Sequence, residues 1–276
     1  MFTLNCKGRL LTIDSPIVMG IINVNGDSFY ADSRHLEKND ALRTAEKMLA
    51  EGATILDIGG QSTRPGSPVV SIDEELKRVV PAIASIKDKF ADAFISVDTY
   101  YGKVAKEAVE AGADVVNDIS AGTMDETLWD TVASMNVPYI LMHMKGIQTN
   151  MQQNPEYEDV TREVLDFLIR KKALLKEKGI EDIIIDPGYG FGKTIQHNFT
   201  LLKNQNIFKM LDCPILTGVS RKSTIYKTLG TDAEHALNGT TVLNTIGLLN
   251  GASILRVHDV KEAMEAIALV KACEPS

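Results

Sequence analysis

Short apolar runs rich in Ile and Val alternate along the chain with longer segments in which apolar residues recur at helical spacing. The runs predict strands at residues 17–22, 54–59, 93–98, 114–118, 138–143, 182–186, 214–219 and 253–258. The longer segments predict helices at residues 40–52, 73–90, 102–112, 125–135, 158–179, 197–211, 233–251 and 260–272. Apolar strands joined by helices are typical of a parallel sheet covered by helices.

The number of strand and helix units bears on which parallel-sheet fold the chain adopts. Eight units favour a closed (β/α)8 TIM barrel, and an open doubly wound sheet is the alternative. Ahead of the first unit, FTLN and LLTI lie on either side of Lys7-Gly8-Arg9 and predict a short N-terminal β-hairpin that plugs the bottom of the barrel. No linker or low-complexity stretch interrupts the sequence, which predicts a single domain over residues 1–276.

Composition and charge exclude several classes of protein. The 276 residues are 44% hydrophobic and 24% charged, as in globular proteins. The net charge of -8 argues against nucleic acid and anionic membranes as partners, because clustered Lys and Arg bind those surfaces. No apolar stretch approaches the roughly 20 residues needed to span a bilayer. Three cysteines without CxxC spacing are typical of reduced thiols, and together these features predict a cytoplasmic protein.

Polar side chains stand at the carboxyl ends of the predicted strands, where barrel enzymes place their active sites. One group offers donors, acceptors and a cation that suit a flat heterocycle, and consists of Asp98, Asn117, Asp186 and Lys222. A second group suits a phosphate or diphosphate, and consists of Arg64, Arg256 and His258. Polar groups crowded at one rim are costly to desolvate unless they bind something, so the pattern predicts a ligand site there.

The sequence around these residues resembles the dihydropteroate synthase family. The motifs VMGIINV, DIGGQSTRPG, ISVDTY, NDIS, MHMKG, DPGYGFGKT, GVSRKS and LRVHDV follow the order of that family from residue 18 to about residue 260. The resemblance implies a pterin-binding TIM-barrel transferase of folate biosynthesis, which joins 4-aminobenzoate to 6-hydroxymethyl-7,8-dihydropterin diphosphate. It also implies a Mg²⁺ cofactor, a homodimer and a target of sulfonamides.

The resemblance also assigns roles to individual residues. Pterin-binding positions are matched by Asp98, Asn117, Asp186 and Lys222, and a position beside both substrate sites by Phe191. Positions that hold the diphosphate and its Mg²⁺ are matched by Asn23, Arg64, Arg256 and His258, with Asn23 as the metal ligand. The aminobenzoate side is matched by Ser62, Thr63, Pro65 and Ser223. The implied catalytic residues are Asp98, Asp186, Lys222 and Arg256.

Physical chemistry is consistent with these assignments. Mg²⁺ prefers oxygen ligands, and one amide oxygen with the diphosphate oxygens is a plausible coordination shell. When diphosphate leaves, it takes the bonding electrons and a pterin methyl cation remains. Asp98 and Asp186 are expected to stabilise this cation while the arylamine attacks, so no enzyme nucleophile is needed. The loops that contain NVNGDSFYADSR and GGQSTRPGSP are expected to close and exclude water from the cation.

The first of these loops departs from the family pattern. Asn25-Gly26 stand where the family has Thr-Pro, and Ala31 stands where an acidic residue is usual. Asp27 remains and Asp32 follows one position later, so the choice between them as a metal contact stays open. Two other functions also stay open: a non-catalytic pterin-binding paralogue and a pterin-dependent methyltransferase barrel.

Overall fold

Strands follow the predicted runs, except that the run 214–219 contains only a two-residue strand, Leu216–Thr217. The structure is a computed structural model that describes residues 1–24, 31–61, 69–146, 151 and 155–273, with the backbone alone for residues 31–39. Two strands come first, β1 (Phe2–Cys6) and β2 (Arg9–Ile13). The strands of the larger sheet are β3 (Ile17–Asn23), β4 (Ile55–Gly59), β5 (Phe94–Asp98), β6 (Val115–Asp118), β7 (Tyr139–Met142), β8 (Ile183–Asp186), β9 (Leu216–Thr217) and β10 (Ile254–Val257).

The larger sheet is parallel and closes on itself. Its strands lie in the order β8, β7, β6, β5, β4, β3, β10, β9. At the seam, the Ile185 amide donates to the Pro214 carbonyl at 2.9 Å, and a parallel bridge pairs Ile185 with Ile215, next to β9. The predicted (β/α)8 TIM barrel is therefore confirmed, and the open doubly wound sheet is excluded.

The register of the strands determines which residues lie side by side at the carboxyl end of the barrel. Asn23 pairs with Gly59, Gly59 with Asp98, and Asp98 with Asn117, so these residues form one row across β3 to β6. Residues in register on neighbouring parallel strands point to the same face of a sheet and are separated by about 4.8 Å. The row therefore brings two carboxamides and a carboxylate to the carboxyl end of the barrel.

Helices cover the barrel, and three of the predicted helices differ from the observed ones by four residues or more. The helices are α1 (Ala31–Ala50), α2 (Ile72–Lys89), α3 (Gly102–Glu110), α4 (Leu128–Met135), α5 (Val160–Glu177), α6 (Ile195–Lys203), α7 (Ser223–Leu229), α8 (Leu237–Leu249) and α9 (Val260–Ala272). The first helix begins at Ala31 rather than at residue 40. The pattern does not predict this extension, because the mostly polar residues 31–39 show no helical spacing of apolar residues. The predicted helix 197–211 is α6 followed by a 3₁₀ helix at Gln205–Leu211. The predicted helix 233–251 begins only at Leu237.

Sequence reasoning also missed α7 entirely. This helix has seven residues, and only Thr224 and Ile225 among them are buried, which is too little to give a helical period. It follows Lys222 directly, so its start fixes the backbone of a predicted site residue.

No helix in the described part of the chain is long and apolar enough to cross a membrane.

The N-terminal hairpin closes the amino-terminal end of the barrel. β1 and β2 pair from Phe2 opposite Ile13 to Cys6 opposite Arg9. Their buried side chains join one apolar cluster with residues from seven barrel strands: Leu4, Cys6, Leu11, Ile13, Met19, Ile55, Val115, Ile140, Ile184, Leu216 and Ile254. The hairpin also contacts the eighth strand, β5, because the Arg9 guanidinium on β2 lies 4.2 Å from the centre of the Phe94 ring on β5. The prediction that the hairpin plugs the barrel bottom is confirmed.

A buried carboxyl on α2 predicts a measurable effect of pH on stability. Glu75 is fully buried, and its Oε2 accepts a hydrogen bond from Gln61 at 3.2 Å. Burial raises the Glu75 pKa to about 7. A folded-state pKa above that of the unfolded chain means that the folded protein binds the proton more tightly. The contribution of Glu75 to stability is therefore present at low pH and is lost as the pH rises from about 4.5 to about 7.

We expect Glu75→Gln to remove this loss. The wild type should lose about 3 kcal/mol in free energy of unfolding between pH 4.5 and pH 8 because of Glu75, as the size of the pKa shift implies. The variant should not lose this amount, so its stability relative to the wild type should rise by about 3 kcal/mol over that range. Urea unfolding at both pH values measures the difference. Glu74→Gln is the matched control, because Glu74 is the preceding residue and its side chain is 44% exposed. An equal gain in both variants, or none in Glu75→Gln, would contradict the argument.

Candidate active site

Arg256 on β10 binds two carboxylates from other strands. Its Nε donates to Asp57 Oδ2 on β4 at 2.7 Å, and one terminal nitrogen lies 2.7 Å from Asp98 Oδ2 on β5. Asn117 Nδ2 on β6 donates to the same Asp57 oxygen at 3.1 Å. Asp57 is completely buried and Asp98 nearly so. Four strands thus deliver one hydrogen-bonded cluster, which we call the rim cluster: Asp57, Asp98, Asn117 and Arg256.

The rim cluster changes the division expected from the sequence. There, Asp98 and Asn117 belonged to a heterocycle group and Arg256 to a separate phosphate group. In the structure Arg256 contacts Asp98 directly, so the two groups meet. A heterocycle bound to Asp98 and Asn117 would therefore lie next to Arg256, the residue expected to bind a phosphate or diphosphate.

Burial controls the protonation of the rim cluster. Burial raises the Asp98 pKa to about 7, and the charge of Arg256 opposes the rise. Burial also disfavours the charge of Arg256, but Asp57 and Asp98 outweigh it and raise the Arg256 pKa further. Arg256 is therefore always charged, while Asp98 changes its protonation near neutral pH.

Asp186, which is buried, and Lys222, which is half-buried, are oppositely charged groups that interact electrostatically. Asp186 ends β8, and its Oδ1 accepts from the Gly188 amide at 2.7 Å. Burial raises the Asp186 pKa, and Lys222 opposes the rise. Burial lowers the Lys222 pKa to about 8, with Asp186 opposing the fall. A lysine with this pKa loses its charge just above neutral pH.

The loop after β8 determines where Lys222 lies. We call residues 187–192 the glycine loop; its glycines at 188, 190 and 192 all have positive φ. Lys222 Nζ donates to the Tyr189 carbonyl at 2.5 Å and lies 4.7 Å from the centre of the Phe191 ring. A Cβ at position 190 would come within 3.2 Å of the Lys222 side chain, so glycine permits this close approach. The glycine loop therefore supplies a carbonyl and an aromatic face to one ammonium group.

Three further predicted residues lie at the rim. Asn23, the last residue of β3, and His258, just after β10, are both exposed. Ser220 and His258 are joined by a hydrogen bond of 2.9 Å between Oγ and Nδ1. Ser223 is half-buried at the first position of α7. These positions leave polar atoms on the solvent side of the rim cluster.

Several predicted residues lie outside the described residues. They are Ser62, Thr63, Arg64 and Pro65 of the second loop, and Asn25, Gly26 and Asp27 of the first. Of the remaining positions in the first loop, Ala31 and Asp32 begin α1, so the expected loop ends earlier than residue 34. The structure thus describes the barrel side of the site.

Two polar strand ends serve the protein's own structure. Asp118 accepts from the Tyr139 hydroxyl at 2.6 Å and from the amides of Ser120 and Gly122. His143 Nδ1 lies 2.9 Å from Lys193 Nζ. Internal partners therefore satisfy these two polar side chains, and neither belongs to the predicted ligand site.

Sequence reasoning missed two residues that shape the site. The sequence pattern assigns no role to Asp57, although it is the partner of both Arg256 and Asn117. Lys193 was part of a motif only, yet its side chain is buried against the glycine loop. For Asp57, the signal was available: an acidic residue inside the apolar run 54–59 requires a buried partner.

Among the described residues, no group of three His, Cys, Asp or Glu side chains is placed to hold a metal. Mg²⁺ is often bound by one or two protein oxygens together with substrate phosphates and waters. An exposed amide oxygen at the end of β3 fits this second mode. Asn23 is therefore the described residue suited to hold such an ion.

The fold is a (β/α)8 barrel with a buried polar cluster at its mouth, and comparison with known proteins identifies its family. The pterin binding enzyme family model matches residues 19–258. Dihydropteroate synthase of Escherichia coli strain K12 is 41% identical over 268 residues, which cover 96% of this chain and 94% of that protein. The chain belongs to the pterin-binding enzyme family and, within it, to the dihydropteroate synthases.

Solved structures extend the comparison. Yersinia pestis dihydropteroate synthase in a sulfonamide drug complex superposes with a TM-score of 0.92 and 38% identity, over 98% of both chains. The Xanthomonas albilineans enzyme in complex with 7,8-dihydropteroate superposes with a TM-score of 0.87 and 36% identity, over 99% of both chains. The resemblance inferred from sequence motifs and the transferase class are confirmed.

Proposed function

We propose that the chain condenses 6-hydroxymethyl-7,8-dihydropterin diphosphate with 4-aminobenzoate, forming dihydropteroate and releasing diphosphate. The rim cluster carries this proposal, because it joins an arginine to pterin-type carboxylate and carboxamide groups at one barrel mouth. The similarity to dihydropteroate synthases supports it, since one of those structures holds 7,8-dihydropteroate.

Pterin recognition is assigned to the buried polar groups. A dihydropterin has N–H donors and ring acceptors around a flat ring, and Asp98, Asn117 and Asp186 offer complementary atoms. All three are nearly inaccessible to solvent, so a ligand that satisfies them gains hydrogen bonds in a site with little water. Lys222 adds an ammonium donor, and Phe191 adds an aromatic face beside it.

Arg256 is assigned to the departing diphosphate. A guanidinium has five N–H groups, and the recorded contacts to Asp57 and Asp98 use its Nε and one terminal nitrogen. The other terminal nitrogen has donors that suit a phosphate oxygen. His258 and Asn23 lie at the same rim and complete the assignment, together with Arg64 outside the described residues. A Mg²⁺ ion held by Asn23 would neutralise charge on the diphosphate.

The reaction is proposed to be dissociative. The bond between the pterin methylene carbon and the diphosphate oxygen breaks first, and the electron pair leaves with diphosphate. The cation that remains lies beside Asp98 and Asp186, whose negative charges stabilise it. The amine of 4-aminobenzoate then forms the carbon–nitrogen bond, and the proton that it loses is released to the solvent with the product. No residue of the chain forms a covalent intermediate in this scheme.

A turnover assay tests the proposal. Diphosphate release should require both substrates and Mg²⁺ together, and a sulfonamide should raise KM for 4-aminobenzoate without changing kcat. Pterin diphosphate binding by calorimetry without any release would instead identify a non-catalytic pterin-binding paralogue. Transfer of a methyl group from a methylated pterin would identify the methyltransferase alternative.

A homodimer in the cytoplasm remains a prediction. Exposed apolar side chains on α8 and α9 support the dimer: Val242, Leu249 and Leu269. Sedimentation velocity at micromolar concentration measures the oligomeric state. A monomer at those concentrations would contradict the prediction.

A further inference from the structure

Lys193 is a buried lysine surrounded by uncharged acceptors. Only 2% of it is exposed, and among the described residues no ion pair includes it. Its Nζ lies 2.8 Å from the Gly188 carbonyl, 3.1 Å from the Phe191 carbonyl and 3.3 Å from the His143 carbonyl. His143 Nδ1 is a fourth neighbour at 2.9 Å. Such convergence of oxygen and imidazole acceptors resembles the coordination of a small monovalent cation.

The acceptors favour one protonation state of this pair. An ammonium carries three N–H donors and no lone pair, so it can satisfy several acceptors at once. A neutral amine would direct its lone pair at one of them. Burial lowers the Lys193 pKa well below its usual range, and Asp186 opposes the fall. The four acceptors around Nζ favour the charged form, because only a group with several N–H donors satisfies them. Burial and the adjacent Lys193 lower the His143 pKa, which keeps the imidazole neutral and its Nδ1 free to accept.

The glycine loop is pressed against the chain that follows β7. A Cβ on Gly188 would lie 1.9 Å from the His143 carbonyl oxygen, and a Cβ on Gly192 would lie 2.1 Å from the Lys145 carbonyl oxygen. The two segments therefore approach backbone to backbone, with carbonyl oxygens of both turned towards Lys193 Nζ. Carbonyl dipoles that converge in this way repel one another unless a cation lies between them.

The same loop carries side chains that face the proposed substrates. Phe191 packs in a small apolar cluster with Tyr100, Ile119, Met142 and Met151, and Lys222 Nζ lies over its ring. The Phe191 carbonyl accepts from Lys193 and the Tyr189 carbonyl from Lys222. Two ammonium groups thus hold the glycine loop, and only Lys222 belongs to the proposed chemistry.

We propose that Lys193 is a positioning residue, whose ammonium acts as a built-in cation that folds the glycine loop and so fixes the Phe191 ring, which lies beside both proposed substrate sites. This inference rests on the proposed function. It assigns His143 as the neutral acceptor that orients the ammonium. The rim cluster is held by its own partners on β4, β5, β6 and β10, so the pterin keeps contacts that do not depend on the glycine loop. The proposed aminobenzoate site has no share in the rim cluster, so 4-aminobenzoate should be the more affected of the two ligands.

The test compares Lys193→Met with the wild type. Methionine has a similar length and no charge, so the carbonyls lose their donor with little change in volume. KM for 4-aminobenzoate should rise about tenfold or more, the loss of one charge-assisted contact, while the pterin diphosphate Kd measured by calorimetry should change less than about threefold. Unchanged aminobenzoate KM, or equal losses for both ligands, would overturn the inference.

Lys87→Met is the matched control. Lys87 also donates to a backbone carbonyl, that of Ala93 at 2.8 Å, but it lies at the opposite end of the barrel and pairs with Asp114. This control should lower Tm and leave both ligand constants unchanged. If it alters the ratio of the two constants as Lys193→Met does, the effect is one of general stability and the inference fails.

Two His143 variants keep the test decisive if Lys193→Met does not fold. His143→Gln retains an acceptor oxygen and should give an aminobenzoate KM within about twofold of the wild type, whereas His143→Leu removes the acceptor and should raise it about threefold or more. The same KM in both would overturn the role of the pair. A wild-type protein that releases no diphosphate would instead refute the proposed function, so the two failures are distinguishable.

Discussion

Replacing Arg256 with Met is expected to reduce kcat/KM by about 100-fold or more, because the change removes charge-assisted hydrogen bonds worth about 1.5–3 kcal/mol each. The variant should also be less stable by about 3–5 kcal/mol, since Asp57 and Asp98 are buried and lose the counter-ion that they share. Steady-state kinetics and urea unfolding measure the two effects.

Two further variants separate the effects of Arg256. Arg9→Met removes an arginine that also pairs with a buried carboxylate, Asp114 at 3.2 Å, at the other end of the barrel. It should lose some stability and keep near-normal kcat/KM. Adding Asp57→Asn to Arg256→Met removes one uncompensated charge and should restore part of the stability but none of the activity. Recovery of activity in the double variant would contradict the assignment of Arg256 to the diphosphate.

Replacing Lys222 with Met is expected to reduce kcat/KM by at least about tenfold and to change its dependence on pH. With its pKa lowered to about 8, Lys222 is charged below that pH and neutral above it. The wild-type kcat/KM should therefore fall as the pH rises through about 8. Asp98, with its pKa raised to about 7, should cause a second fall as the pH decreases through that value.

The variant distinguishes the two limbs of the profile. Lys222→Met should lose the alkaline fall and keep the acid one, because Asp98 is still present. Enzyme held at each pH and then assayed at pH 7.5 controls for inactivation. An alkaline limb that persists in the variant would show that another group produces it, and the role of Lys222 would have to be revised.

The barrel was predictable because its strands are buried on both faces. A run such as residues 182–186 is apolar enough to stand out without any knowledge of its neighbours. The positions of Asp98 and Asn117 in the site were predictable for the same reason, since a polar residue near the end of a buried strand lies at the rim of the barrel. Helix bounds were less certain, and α7 was missed because a seven-residue helix with two buried residues has no period.

Partnerships between distant residues could not be predicted from local pattern. Arg256 and Asp57 are 199 positions apart, and only the order of strands in the closed sheet brings them together. Lys193 follows a glycine-rich segment, where a lysine is usually solvated. Its burial depends on carbonyl groups of the backbone, which leave no mark in the sequence.

The span of 199 residues between Arg256 and Asp57 has a consequence for how the protein becomes active. Contacts between distant parts of a chain form late, because a long loop must be closed before they stabilise anything. β10 supplies the arginine and also pairs with β3, so the last barrel strand closes the sheet and completes the rim cluster in the same event. During refolding, or as the chain leaves the ribosome, recovery of catalysis would therefore mark closure of the barrel, however early the individual strand and helix units form.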